Sequence, residues 1–213
     1  MSIRPPARSC KAATMTEVAS TTSGARDRRA PDGVTSVKVW DPVVRLTHWG
    51  VAAAVLGCSF LFEPEGNGAD LHQLFGYVGV GLVVLRLVWG LVGPRHARLS
   101  SFPPNPMAAL RHLTDLHRGR RHVHLSHNPA GALMVYNLWA SVIAMGVTGY
   151  MMGTVAFFGI DWVEEAHEVI YGWIMVSVVL HLAGIVLDTV LTRVPLVPAM
   201  ITGRKRVPTD RLG

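Results

Sequence analysis

Four of the ten histidines in this 213-residue chain sit in or beside long apolar stretches. His167 and His181 stand fourteen residues apart inside one such stretch. At ~3.6 residues per turn, fourteen steps return a side chain to within roughly 40° of its starting face, ~21 Å further along the axis. His48 and His72 lie near the ends of two other apolar stretches. Imidazole is a ligand for iron, zinc and copper, and ionisable groups in a membrane interior are costly unless they serve a function. Four imidazoles on helices at two depths therefore point to metal chemistry across a bilayer.

The elements that must carry them follow from composition. Half of the residues are hydrophobic and only 16% are charged, where soluble domains hold about a quarter charged. Four stretches, 43–62, 71–92, 130–152 and 162–191, reach the ~20 residues needed to cross a ~30 Å hydrocarbon core. The expectation is an all-α integral membrane four-helix bundle with membrane lipid around it. The fourth stretch is ~45 Å long as a helix and should protrude. Asp41-Pro42 and Asn128-Pro129 are expected to open the first and third spans, with proline where a helix start tolerates it.

Charge fixes the expected orientation. Seven Lys or Arg precede the first span, six arginines lie in 93–129, and five basic residues follow the fourth span. The connections 63–70 and 153–161 are acidic and contain no Lys or Arg. Positive charge retained on the cytoplasmic side places both termini inside. The +6 net charge belongs to one membrane face, so no nucleic-acid partner is expected. Residues 1–35, rich in Ser, Thr, Ala and Arg, read as a disordered basic cytoplasmic tail, with Met15 an alternative start. The membrane domain is expected over 36–206, and 207–213 as a flexible C-terminus. Within the loop 93–129, residues 107–117 have helical spacing. Leu110, Leu113 and Leu116 oppose Arg111, His112 and Asp115 there, which predicts a short amphipathic surface helix. The run from His117 to His127 is interleaved with arginines that oppose a bound cation, and it reads as a lipid-headgroup surface.

Under this topology His48 and His181 share the inner level, while His72 and His167 share the outer one. Zinc usually takes four ligands, or three with an open position, and no third ligand accompanies either pair. Haem iron needs two axial ligands only, which a pair of imidazoles fills, favouring electron transfer over oxygen binding. On the second helix His72, Gly76, Gly79, Val83, Arg86 and Gly90 form one stripe. Gly76 and Gly79 leave room for a flat ring beside the axial ligand. Arg86 reaches the inner level, where a haem propionate or Asp188 is the expected partner. The chain contains no CxxCH, so covalent c-type attachment is excluded.

These residues resemble the bacterial cytochrome b561 family, including the b-type cytochrome subunits of membrane-bound nickel–iron hydrogenases. The resemblance runs from about Val37 to Arg206. It is carried by Val39-Trp40-Asp41-Pro42-Val43-Val44-Arg45-Leu46-Thr47-His48-Trp49, His72 with its glycine stripe, Leu85-Arg86-Leu87-Val88-Trp89-Gly90, His127-Asn128-Pro129-Ala130-Gly131, and His167 with His181. It implies four transmembrane helices, two b haems on His48, His72, His167 and His181, and redox exchange with quinone. The expectation is a multi-pass protein of the bacterial inner membrane. It would carry electrons between the quinone pool, near Arg45 and Arg86, and an extracytoplasmic hydrogenase, dehydrogenase or c-type cytochrome. A second copy of the chain, as a homodimer, is a further candidate partner. The resemblance also allows a self-contained superoxide:quinone oxidoreductase. A haem-free ion transporter using the same histidines predicts a protein without a Soret band. An ascorbate-type reductase is disfavoured, because the related eukaryotic family has six spans.

Overall fold

The computed structural model describes residues 34–61, 66–94, 97–117 and 128–208. The tail expected over 1–35 lies almost wholly outside them, as does most of the histidine–arginine run. Four helices are long and apolar enough to cross a membrane: α1 (Pro42–Phe60), α2 (Ala69–Val92), α4 (Pro129–Met152) and α5 (Asp161–Thr192). Between α2 and α4 lies α3 (Pro106–His117), and α6 (Leu196–Thr202) follows α5.

The span starts obey local chemistry. Asp41 accepts hydrogen bonds from Val43 N at 2.9 Å and Val44 N at 3.1 Å, and Pro42 fills the first turn. Asn128 Oδ1 likewise accepts from Gly131 N ahead of Pro129. Each cap is worth ~1 kcal/mol. Both lie at the end of the bundle that carries the basic segments, called here the basic end.

The four long helices pack in the order α1, α2, α4, α5. Val83 of α2, Val142 of α4 and Ile174 of α5 form the buried centre, with Val51 and Val55 of α1 against it. Most other large apolar side chains point outward: Leu56, Leu85, Val176 and Val186 are among the exposed ones. Apolar groups face outward at no cost where the surroundings are lipid, and packing rather than hydrophobicity then joins the helices.

Beside the helices stands an element that an all-helical reading omits. β1 (Val34–Lys38) pairs antiparallel with β2 (Arg204–Pro208), in the register Val34↔Pro208 to Lys38↔Arg204. The ribbon joins the segment before α1 to the segment after α6, and it includes two residues read as flexible C-terminus. It continues into a clasp: Val39 N and Trp40 N both donate to Gly203 O, at 3.0 and 3.1 Å. Gly203 adopts φ 78°, and a Cβ there would meet Trp40 O at 2.6 Å, so glycine is required at this crossing.

The helix α3 also departs from expectation. It packs on α4; among its described side chains Ala109 and His112 are buried, while Leu110 is 58% exposed.

Candidate functional site

Helix α5 carries two histidines of one face, and the fold brings a different partner to each. At the basic end His48 of α1 faces His181, with ring centroids 6.4 Å apart and planes inclined by 50°. Trp49 packs edge-on against His48 at 5.1 Å. His48 Nδ1 is buried and has no hydrogen-bond partner. At the opposite, acidic end His72 of α2 lies close enough to His167 for the two rings to interact electrostatically. The Cys58 thiol donates to the His72 carbonyl at 3.4 Å, tying the start of α2 to α1. Of the two depth pairs expected from helical spacing, His48 and His181 are the one in ring contact.

Ile174 stands seven residues from each α5 histidine, so the Val83–Val142–Ile174 cluster forms an apolar layer between the two levels. Polar side chains at this height are spent on one another. Asn137 Nδ2 donates to Ser177 Oγ at 2.9 Å, and Trp173 Nε1 donates to Asn137 Oδ1 at 3.0 Å.

The glycines expected beside the histidines divide. Gly79 is buried, and a Cβ there would lie 3.3 Å from Ala54 Cβ, which makes it a packing point between α1 and α2. Gly76, one turn from His72, has no heavy atom within 4 Å of where a Cβ would sit. A further glycine escaped the sequence reading. Gly149 of α4 lies against His167, with its virtual Cβ 3.3 Å from His167 Cε1. Thr148, beside it, stands 2.9 Å from His167 Nδ1 through its hydroxyl. Only the position of α4 against α5 reveals either residue, because a threonine and a glycine in an apolar helix carry no signal of their own.

Arg86 is 4% exposed. Its Nη2 donates to Ala97 O at 2.9 Å, and its guanidinium stacks 5.2 Å from the centroid of the Trp139 ring. The acid that acts on it is Asp41, which also accepts from Trp89 Nε1 at 3.3 Å. The expected pairing with Asp188 is thereby corrected. Asp188 accepts from Asn128 Nδ2 at 3.4 Å and faces the buried Lys205 of β2. The ribbon, unseen in the sequence, supplies that competing cation. Arg86 Nη1 remains buried without a hydrogen-bond partner. Arg45, three residues before His48, donates through Nη2 to Ile201 O, while its Nε is buried and unpartnered. It lines a cleft of about 370 Å³ with Pro42, Leu46, Trp49 and Ile201.

A family model described as prokaryotic cytochrome b561 matches residues 39–203. The chain belongs to the prokaryotic cytochrome b561 family. The match opens at the Val39–Gly203 clasp and closes on it, so it takes in every element from α1 to α6. No curated protein and no solved structure matches the chain. Membership makes this cytochrome b561 chain a multi-pass membrane b-type cytochrome that binds haem b and takes part in electron transfer.

Proposed function

We propose that this cytochrome holds two b haems, one between His48 and His181 and one between His72 and His167. It would carry electrons across the bacterial inner membrane between quinone and an extracytoplasmic redox protein. The observation that carries the reading is the opposition of His48 and His181. His48 and His181 would hold a haem iron between their imidazoles. The two rings stand at 6.4 Å. Among the described residues no group of three or more His, Cys, Asp or Glu could hold a metal ion. An imidazole pair suits a metal whose remaining donors come from its own cofactor. The open surroundings of Gly76 suit a flat macrocycle beside His72. Haem b, when bound, supplies a one-electron ferric–ferrous couple.

The protein's own residues would do the rest. The four imidazoles fix the two depths, ~21 Å apart along α5. Val83, Val142 and Ile174 keep water out of the space between them. Segregation of Lys and Arg supports the basic end, with both termini, as the cytoplasmic side. The cleft lined by Arg45 and Trp49, residues that flank His48 in α1, offers apolar walls with one cation, which suits a quinone head group. The acidic connections between α1 and α2 and between α4 and α5 would then face the extracytoplasmic donor or acceptor, a hydrogenase, dehydrogenase or c-type cytochrome.

The test of the reading at the quinone end is Arg45→Gln. Quinol-driven haem reduction should slow at least tenfold while dithionite-reduced spectra stay unchanged. Unaltered quinol kinetics would remove Arg45 and its cleft from that role.

A further inference from the structure

His167 and His48 differ in what meets Nδ1. Thr148 Oγ1 has one proton, and it is already directed at its own helix, toward Ala144 O at 3.2 Å and Met145 O at 3.0 Å. While it donates to its own helix, the hydroxyl is free to accept from His167 Nδ1, 2.9 Å away. When His167 binds a metal through Nε2, Nδ1 carries the proton and donates it to this hydroxyl. At the basic end His48 Nδ1 has no hydrogen-bond partner among the described residues.

We infer that Thr148 is a positioning residue that sets the orientation and electron-donating strength of His167, and through it lowers the potential of the haem at the acidic end. The inference rests on the bis-histidine reading above. A ligand imidazole whose other N–H is hydrogen-bonded is a better donor to the metal and stabilises the ferric state. Gly149 completes the seat. Its missing Cβ lets the imidazole lie against the backbone of α4, so the ring is held by a wall as well as by a hydrogen bond. Nothing equivalent holds His48 Nδ1, so the device acts on one haem and leaves the two sites unequal.

The test is a potentiometric titration of the purified holoprotein, with haem content measured alongside, for Thr148→Val and Thr148→Ser. Thr148→Val should keep two haems and raise one midpoint while leaving the other in place. The expected change in oxidised-to-reduced ratio is threefold to tenfold, roughly 30–60 mV at about 59 mV per decade for one electron. Thr148→Ser should restore the wild-type value. In a His181→Ala background the single remaining haem should be the one that shifts. Unmoved midpoints, or a shift confined to the haem that survives His167→Ala, would overturn the inference. Should Thr148→Val lose a haem, its retention in Thr148→Ser upholds the role of the hydroxyl, and loss in both variants overturns it. Failure of the underlying reading is distinct: His72→Ala and His167→Ala would then keep both haems.

Discussion

His48 and His181, from the first and last membrane-crossing helices, stand with their ring centroids 6.4 Å apart and their planes tilted by 50°. Helix α5 packs on α4; its His181 faces His48 of α1, while its His167 meets Thr148 and Gly149 of α4. Between the levels of His167 and His181 lies the apolar cluster of Val83, Val142 and Ile174.

Gly76 tests the flat ligand at the acidic end. Because nothing lies within 4 Å of a Cβ there, a larger side chain meets no protein atom at its root. Gly76→Leu should leave the expression and helicity of the protein intact while reducing haem content by about half, read from the pyridine haemochrome spectrum. Full haem content would show that no ring lies beside that turn of α2.

Gly149 should behave differently. A Cβ 3.3 Å from His167 Cε1 forces the imidazole to give way. Gly149→Val is expected to displace His167 and broaden or abolish the spectral signature of one haem, leaving the other at its wild-type midpoint. Redox titration of the variant checks this, and loss of both haems together would contradict it.

The clasp at the basic end depends on Gly203. Placing alanine at φ 78° against Trp40 O strains the backbone by roughly 1–3 kcal/mol. Gly203→Ala should lower the thermal midpoint in detergent and expose the C-terminal ribbon to limited proteolysis. The haem spectra should be retained, because no histidine lies in the clasp. Wild-type proteolysis would mean that the ribbon does not need this crossing.

Lys205 gives a pH dependence with a definite sign. Burial holds its ammonium below the usual lysine range, and Asp188 acts in the opposite direction. A lysine with a depressed folded-state value binds fewer protons when folded than when unfolded, so stability rises with pH across the window between the two values. In that alkaline window, below about 10.4, the wild type should gain stability relative to Lys205→Met as pH increases. Parallel pH profiles for the two proteins, measured by thermal unfolding in detergent, would contradict this.

Much of this arrangement could be read from the residues themselves. The four spans end within two residues of the apolar stretches, because length and hydropathy decide membrane crossing. The stripe on α2 is also as spaced: Gly79, Val83, Arg86 and Gly90 are its buried members. What could not be read depends on contacts between distant segments. The sequence of β2, Arg-Lys-Arg-Val-Pro, looks like a solvated tail until β1 is laid beside it. The acid acting on Arg86 is Asp41 rather than Asp188, because the ribbon brings Lys205 to Asp188. Thr148 gains its meaning only from His167, nineteen residues away on another helix.

The most direct measurement is the number of haems per chain in the wild type and in four single variants: His48→Ala, His72→Ala, His167→Ala and His181→Ala. Two haems per wild-type chain are predicted, falling to one in each variant. His48→Ala and His181→Ala should lose the same spectroscopic species, and His72→Ala and His167→Ala the other. A single haem in the wild type, or a haem count that does not change when any one of these imidazoles is removed, would contradict the account.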